Sequence, residues 1–153
     1  MTEVHADVDR RWLDRTVELS RLCPASATAF AVGAVVVDAE GQVIATGYSR
    51  EGDPHDHAEE AALAKISRDD PRLASATIYS SLEPCTTRAS RPRSCTELIL
   101  AAGIRRAVFA WREPDLFVDC TGVETLREAG VEVIEIAALA SRVLEVNAHL
   151  FDT

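Results

Sequence analysis

Short β-branched runs alternate with helical patterns along most of this chain. Two runs of strand character, residues 31–38 and 42–48, are separated by Ala39-Glu40-Gly41, which has the length and the glycine of a hairpin loop. Three further strands are predicted at residues 77–82, 106–111 and 131–136. The pattern therefore predicts five strands, and the first two are expected to form a hairpin.

Helical patterns precede, separate and follow these strands. An amphipathic pattern predicts a helix over residues 9–22, before Pro24, and the alanine-rich segment 57–67 favours a helix with Asp56 as its cap. Three more helices are predicted at residues 96–102, 121–129 and 137–150. A hairpin followed by strand–helix crossovers makes a mixed sheet with helices on both faces. We therefore predict a three-layer α/β/α domain around a five-stranded mixed sheet.

The length and composition are typical of one globular domain. The chain has 153 residues, of which 47% are hydrophobic and 27% charged. A chain of this length can bury a hydrophobic core without disulfides or a structural metal. We expect residues 1–153 to form a single domain. The sequence shows no leader and no run of about 18 or more apolar residues, so we expect a cytoplasmic protein whose four cysteines are reduced.

The charge balance bears on the class of ligand. A formal net charge of −9 disfavours broad binding to nucleic acid, because that affinity rests on a basic surface. Positive charge is instead local, since Arg88, Arg91 and Arg93 lie close together in the segment between two cysteines. This pattern favours a small anionic ligand over a polymer.

The candidate chemistry lies between residues 57 and 95. One histidine and two cysteines, His57, Cys85 and Cys95, can supply three zinc ligands and leave the fourth position open for water. Glu59 follows the histidine by two residues and is placed to move protons from that water. This order of His-x-Glu, Pro-Cys and a second cysteine is the signature of zinc-dependent base deaminases. Here, however, nine residues separate the two cysteines.

A purely structural zinc site is the alternative interpretation of the cluster. Structural sites usually close with a fourth protein ligand, and His55 lies only two residues before His57. We interpret His55 as a solvated loop residue or as a support for the ligands. Glu59 favours the catalytic interpretation, because a structural zinc site has no chemical need for it.

Most of the chain resembles the deaminase domain of bacterial riboflavin-pathway deaminase/reductase proteins, within the cytidine-deaminase-like superfamily. The matching pieces are residues 32–38, 57–59, 82–85, 101–104 and 126–131, together with the distant Cys95. The combination of His-x-Glu with Pro-Cys is specific to the superfamily. The long gap between the cysteines points to the riboflavin branch, because cytidine and guanine deaminases carry Pro-Cys-x-x-Cys.

The resemblance implies a site and a mechanism. It implies one zinc ion held by His57, Cys85 and Cys95, with Glu59 carrying protons between water, a ring nitrogen and departing ammonia. The developing charge would be stabilised mainly by electrostatics. It also implies a homo-oligomer, a homodimer or larger.

The resemblance further suggests how a heterocyclic base is held. The main chain around Ala58, Ser81 and the first cysteine would contact the base. Arg88, Arg91 and Arg93 could form a clamp for a phosphate or carboxylate. A solvated, charged loop is the equally weighted alternative for these arginines.

Three departures from the family pattern bear on the substrate. Ala29-Phe30-Ala31 stands where the family has Pro-Asn-Pro, and the segment between the cysteines lacks the family's His-Gly-rich sequence. As the third departure, we expect no reductase domain. We therefore expect a deaminase of a small pyrimidine-like heterocycle of the riboflavin-precursor type. The alternatives are a free-base or nucleoside deaminase of specialised metabolism and a non-catalytic zinc-binding subunit. A nucleic-acid editing enzyme is disfavoured by the acidic charge.

Overall fold

Helices and strands alternate along the described chain. The computed structural model describes residues 3–26, 29–84, 94–112 and 122–151. The strands are β1 (Gly33–Val37), β2 (Val43–Tyr48), β3 (Thr77–Leu82), β4 (Arg106–Trp111) and β5 (Glu132–Glu135). The α-helices are α1 (Glu3–Ser20), α2 (Ala58–Leu63), α3 (Cys95–Ala102), α4 (Gly122–Glu128) and α5 (Ala140–Val146). In these ranges, no helix combines the length and the apolar character needed to cross a bilayer.

The five strands form one mixed sheet in the order β2-β1-β3-β4-β5. Strand β1 is antiparallel to both β2 and β3, whereas β3, β4 and β5 run parallel. The hairpin and the crossover connections account for this arrangement, since parallel neighbours need a helix to return the chain. The predicted five-stranded mixed sheet is confirmed.

Two apolar cores lie on opposite faces of the sheet and complete the three layers. Helices α2, α3 and α4 pack on one face, with Ala62, Ile99 and Leu126 among the fully buried residues. Helices α1 and α5 pack on the other face through Leu13 and Val143. The predicted α/β/α layering is confirmed.

Helix α2 approaches the sheet closely because a glycine faces it. A Cβ atom at Gly47 on β2 would lie 2.4 Å from the Ala58 carbonyl oxygen and 2.5 Å from the Ala62 nitrogen. No side chain fits in that space. The glycine therefore sets the distance between α2 and the sheet.

Several helix boundaries differ from those predicted. Helix α1 begins at Glu3, and the predicted helix over 137–150 divides into α5 and two short 3₁₀ turns, Ala137–Leu139 and Ala148–Phe151. Helix α2 is short and its N-cap is His57, whose backbone is extended. The prediction of Asp56 as the cap was wrong, because its carboxylate accepts a hydrogen bond from the Gly52 N–H at 3.2 Å within the preceding loop.

A buried polar cluster ties α1 to the sheet. The Tyr79 hydroxyl donates to Asp9 Oδ1 at 2.6 Å, and Arg106 donates to both oxygens of Asp9 at 2.9 and 2.7 Å. Burial, reinforced by the bond to Asp9, raises the pKa of Tyr79 well above its ordinary value. The cluster joins residues far apart in sequence and satisfies a carboxylate that is only 4% exposed.

Candidate active site

Two of the predicted zinc ligands meet where helices α2 and α3 begin. His57 is the N-cap of α2 and Cys95 is the first residue of α3. The Cys95 Sγ lies 3.3 Å from His57 Nδ1. A tetrahedral zinc with ordinary bond lengths holds a sulfur and a nitrogen ligand about 3.5 Å apart. The donor pair therefore fits a shared zinc ion.

The start of α3 is held by a capping box that fixes Cys95. The Ser94 Oγ accepts a hydrogen bond from the Glu97 N–H at 3.1 Å, and Glu97 Oε1 accepts from the Ser94 N–H at 3.4 Å. Cys95 is fully buried at the first turn, where the helix dipole favours a thiolate. The sequence thus places this sulfur at a position suited to metal binding.

The start of α2 is held from both sides of His57. The His57 N–H donates to Glu60 Oε1 at 3.3 Å, one turn further along the helix. The preceding carbonyl, that of Asp56, accepts a hydrogen bond from the Arg50 N–H at 2.8 Å. These contacts fix the backbone that carries the imidazole.

Glu59 is buried on the same turn as His57 and has a serine partner. Its side chain accepts a hydrogen bond at Oε2 from the Ser80 hydroxyl at 2.6 Å. Glu59 is 3% exposed and Ser80 is 2% exposed. The predicted general acid and base therefore lies in a region of low dielectric, where its interactions are strong.

Sequence reasoning missed Ser80, although a signal was present. Side chains alternate across a strand, so Ile78, Ser80 and Leu82 on β3 share the face that packs against α2. Ser80 is the polar residue among these three. Recognising it required knowing which face of β3 meets α2.

Ala58 and Ser81 occupy separate environments. Ala58 is fully buried in the core beneath α2. The Ser81 side chain belongs to the other face of β3, and its hydroxyl accepts a hydrogen bond from the Gly33 N–H at 3.1 Å. Their suggested main-chain contacts with a base stay predictions.

The segment that precedes Cys85 is hydrogen-bonded to the start of α4. The buried Glu83 accepts a hydrogen bond at Oε2 from the Val123 N–H at 3.1 Å, and its Oε1 lies 3.5 Å from Arg112 Nε. A Cβ atom at Gly122 would lie 2.0 Å from the Pro84 carbonyl oxygen. Close packing thus fixes the chain at Pro84, immediately before Cys85.

Four predicted site residues lie outside the described ranges. They are Cys85, Arg88, Arg91 and Arg93. Among the residues that the structure describes, no three histidine, cysteine, aspartate or glutamate side chains are grouped to hold a metal. The alternative ligand His55 is exposed in the loop before α2, as interpreted from the sequence. Cys85, which lies outside the described ranges, stays the predicted third ligand beside His57 and Cys95.

Comparison with known proteins assigns this arrangement to a family. Residues 6–111 match the model of the cytidine and deoxycytidylate deaminase zinc-binding region. The chain belongs to this zinc-binding deaminase family. Zinc is accordingly the metal that this family's site binds, in agreement with the donor pair described above.

Curated relatives of this deaminase-family chain include riboflavin-pathway proteins. It is 43% identical over 118 residues to the diaminohydroxyphosphoribosylamino-pyrimidine deaminase of Schizosaccharomyces pombe, covering 76% of this chain and 29% of that protein. It is 39% identical over 121 residues to the riboflavin biosynthesis protein RibD of Aquifex aeolicus, covering 78% and 32%. The chain spans about three tenths of the length of these relatives.

Solved structures share the fold. The diaminohydroxyphosphoribosylaminopyrimidine deaminase/5-amino-6-(5-phosphoribosylamino)uracil reductase of Thermotoga maritima matches with a TM-score of 0.81 and 33% identity, covering 93% of this chain and 40% of that chain. The Aspergillus oryzae Rib2 deaminase matches with a TM-score of 0.77 and 24% identity, covering 90% and 89%. The resemblance to the deaminase domain of the riboflavin pathway is confirmed.

Proposed function

We propose that this domain is a zinc-dependent hydrolytic deaminase of a small pyrimidine-like heterocycle. It would convert an exocyclic amino group to a carbonyl and release ammonia. The observation that carries the proposal is the 3.3 Å contact between Cys95 and His57, with Glu59 buried on the same turn as His57. The proposed zinc ligands are these two residues and Cys85.

Glu59 is the proton carrier in the proposed reaction. Bound zinc would lower the pKa of the attacking water to near neutrality. Glu59 accepts a proton from this water and passes it to a ring nitrogen while the water oxygen bonds to the amino-bearing carbon. Glu59 then moves the second water proton to the amino group, the carbon–nitrogen bond breaks, and ammonia leaves as the carbonyl forms.

The buried surroundings of Glu59 support this role. A carboxylate that is 3% exposed exchanges protons with the reacting groups rather than with bulk solvent. The main chain at Ala58 and Ser81 is proposed to hold the base beside it, since Ala58 adjoins both His57 and Glu59. Ala58 itself is fully buried in the apolar core beneath α2.

The names of the relatives support a riboflavin precursor as substrate. The Schizosaccharomyces pombe relative is named for a diaminopyrimidine that carries a phosphoribosyl group. We propose a diaminopyrimidine ribose phosphate for this chain. We propose that its phosphate is bound by Arg88, Arg91 and Arg93, because one guanidinium group can donate two parallel hydrogen bonds to the oxygens of a phosphate.

Ammonia release by the zinc-loaded protein tests the substrate. The diaminopyrimidine ribose phosphate, its dephosphorylated form, cytosine, cytidine and guanine would be compared at equal concentrations. Turnover of the phosphorylated pyrimidine alone is expected. Replacing the three arginines with glutamine would then raise KM for the phosphorylated compound, and an unchanged KM would contradict the clamp.

A free-base or nucleoside deaminase of specialised metabolism is the second candidate function. Phe30 favours it, because this side chain lies where the riboflavin-pathway family has a Pro-Asn-Pro segment and is 7% exposed. Its ring packs edge-on against Trp111, with centroids 6.0 Å apart and planes at 88°. Turnover of an unphosphorylated base would establish this function. If the zinc-bound protein releases ammonia from none of the five compounds, a non-catalytic zinc-binding subunit is favoured.

The assembly and location are further parts of the proposal. We propose a homodimer or larger homo-oligomer, for which light scattering should give a mass of at least twice 16.6 kDa. A monomer mass would contradict it. We also propose a cytoplasmic location, because a reducing compartment keeps Cys95 available as a thiolate.

A further inference from the structure

Ser80 is a hydroxyl placed on an apolar face of the sheet. Its neighbours on that face of β3, Ile78 and Leu82, are 1% and 4% exposed and belong to the core beneath α2. A buried hydroxyl without a partner destabilises a protein, whereas the same hydroxyl bound to a charged acceptor does not. Ser80 therefore requires an acceptor in this core, and Glu59 supplies it.

The contact with Glu59 has the length of a strong hydrogen bond. The Ser80 Oγ and Glu59 Oε2 are 2.6 Å apart, within the range of O–H donors bound to ionised carboxylates. Such bonds are about twice as strong as neutral ones. The contact thus stabilises one oxygen of the carboxylate in one position.

The donor is held more firmly than the acceptor. Ser80 is paired with Ala34 on β1 and with Phe109 on β4, so it lies in the interior of the sheet. Glu59 extends from the first turn of a six-residue helix, and its side chain has several rotatable bonds. A hydroxyl fixed by the sheet therefore helps to hold this carboxylate in one orientation.

We propose that Ser80 is a positioning residue that orients the Glu59 carboxylate for proton transfer. The inference rests on the proposed function, since it concerns the residue that carries protons there. Ser80 itself contacts no reacting atom in this proposal. It holds Oε2, so that the carboxylate keeps a constant orientation toward the attacking water and the ring nitrogen.

The kinetic test compares two equally buried serines in the zinc-loaded full chain. Ser80→Ala is expected to lower kcat about tenfold or more with KM within about twofold, because misplacing a reacting group slows the step that it performs. Ser80→Thr keeps the hydroxyl and should restore most of kcat. Ser20→Ala is the control, because Ser20 is also 2% exposed but its hydroxyl donates to Val17 O in α1.

The kinetic outcomes decide between positioning and packing. A kcat for Ser80→Ala equal to that of Ser20→Ala would overturn the proposal. So would a Ser80→Thr variant that is as slow as Ser80→Ala and equally stable. Urea unfolding of all three variants shows whether a loss of rate follows from a loss of fold.

A second measurement does not depend on activity. Urea unfolding at fixed free zinc would be measured for Ser80→Ala, Glu59→Ala and the double variant, and a coupling of about tenfold in the unfolding equilibrium constant is expected. The Ser20→Ala and Glu59→Ala pair should show no coupling. Absence of coupling between Ser80 and Glu59 would overturn the inference even in an active enzyme. Coupling in a protein that deaminates none of the compounds would instead contradict the proposed function, and with it the role in proton transfer.

Discussion

The proposed chemistry of this protein depends on a few side chains at the start of two helices. Cys95 and His57 are 38 positions apart, yet their sulfur and nitrogen atoms come within 3.3 Å. The other described cysteine with a free thiol, Cys23, is half-buried, and burial raises the pKa of its thiol. The two thiols are therefore expected to behave differently toward a metal.

Replacing each cysteine with serine tests this difference. Cys95→Ser removes a proposed zinc ligand. Loss of a residue that only hydrogen-bonds to a ligand weakens metal binding about 10–100-fold, so the loss of zinc affinity in this variant should be larger. Cys23→Ser is the matched control and should retain zinc, because the Cys23 Sγ faces the Val32 carbonyl oxygen at 3.5 Å. Metal analysis after dialysis against a chelator measures both, and equal zinc retention would contradict the assignment.

Glu59 should be separable from metal binding. Glu59→Ala is expected to bind one zinc and to unfold cooperatively, but to lose at least about 100-fold in ammonia release, the usual contribution of general acid–base catalysis. The reason is that its carboxylate moves protons and is not a proposed ligand. Zinc content and ammonia release of one preparation check the expectation, and retained turnover would exclude the mechanism.

At the scale of elements, close backbone approach determines where α2 lies. Gly47 on β2 leaves no space for a side chain beneath the turn that carries Glu59. By contrast, a Cβ atom at Gly52 in the following loop would lie 3.4 Å from Asp56 Oδ2, an ordinary contact. Two glycines five positions apart thus have different structural roles.

Gly47→Ala is expected to move α2 away from the sheet. The free energy of unfolding should fall by about 1–3 kcal/mol, as overpacking generally causes, and ammonia release should fall with it. Gly52→Ala should change stability by less than about 0.5 kcal/mol. Urea unfolding of both variants provides the comparison, and equal stability would show that α2 adapts without cost.

Glu83 connects β3 to α4 and lies two residues before Cys85 in the sequence. Glu83→Ala leaves the buried Val123 N–H without this acceptor and should destabilise the fold by about 1–3 kcal/mol. Glu124→Ala is the control, because Glu124 also contacts Arg112, at 2.7 Å, but both side chains are exposed to solvent and the pair should contribute little to stability. Thermal unfolding distinguishes the two, and equal effects would contradict the role of Glu83.

At the scale of the whole molecule, the Asp9–Tyr79–Arg106 cluster joins the N-terminal helix to two strands. The raised pKa of Tyr79 means that the folded protein keeps this phenol protonated at pH values where the unfolded chain ionises, near pH 10. The folded state then binds more protons than the unfolded state. The contribution of Tyr79 to stability is therefore complete below pH 10 and is lost as the pH rises above it.

Tyr79→Phe should reduce this alkaline sensitivity. Between about pH 10 and 11.5, the free energy of unfolding of the variant should fall less steeply with pH than that of the original protein. The difference between the two slopes corresponds to at most one bound proton. Below about pH 9 the two slopes should agree. Urea unfolding across this range checks the expectation. Parallel curves above pH 10 would show that the phenol ionises freely in the folded state.

The order of elements and the candidate chemistry could be predicted from the sequence alone. Local patterns sufficed, because the hairpin, the alternation of strands with helices and the His-Ala-Glu and Pro-Cys motifs each depend on residues close in sequence. The five strands, the mixed sheet and the position of Cys95 at a helix start are confirmed. The helix ends were less predictable. Asp56 could cap α2, but its carboxylate bonds to Gly52 in the preceding loop, and His57 is the N-cap instead.

Tertiary structure alone decided which neighbours share the site. Ser80 and Ser81 are adjacent and chemically identical, but the pleat of β3 turns one hydroxyl toward Glu59 and the other toward the Gly33 N–H. The contact between Glu83 and α4 likewise joins residues 40 positions apart. Such contacts depend on sheet register and on which face each helix covers. Those properties follow from packing of the whole chain, so no local pattern could specify them.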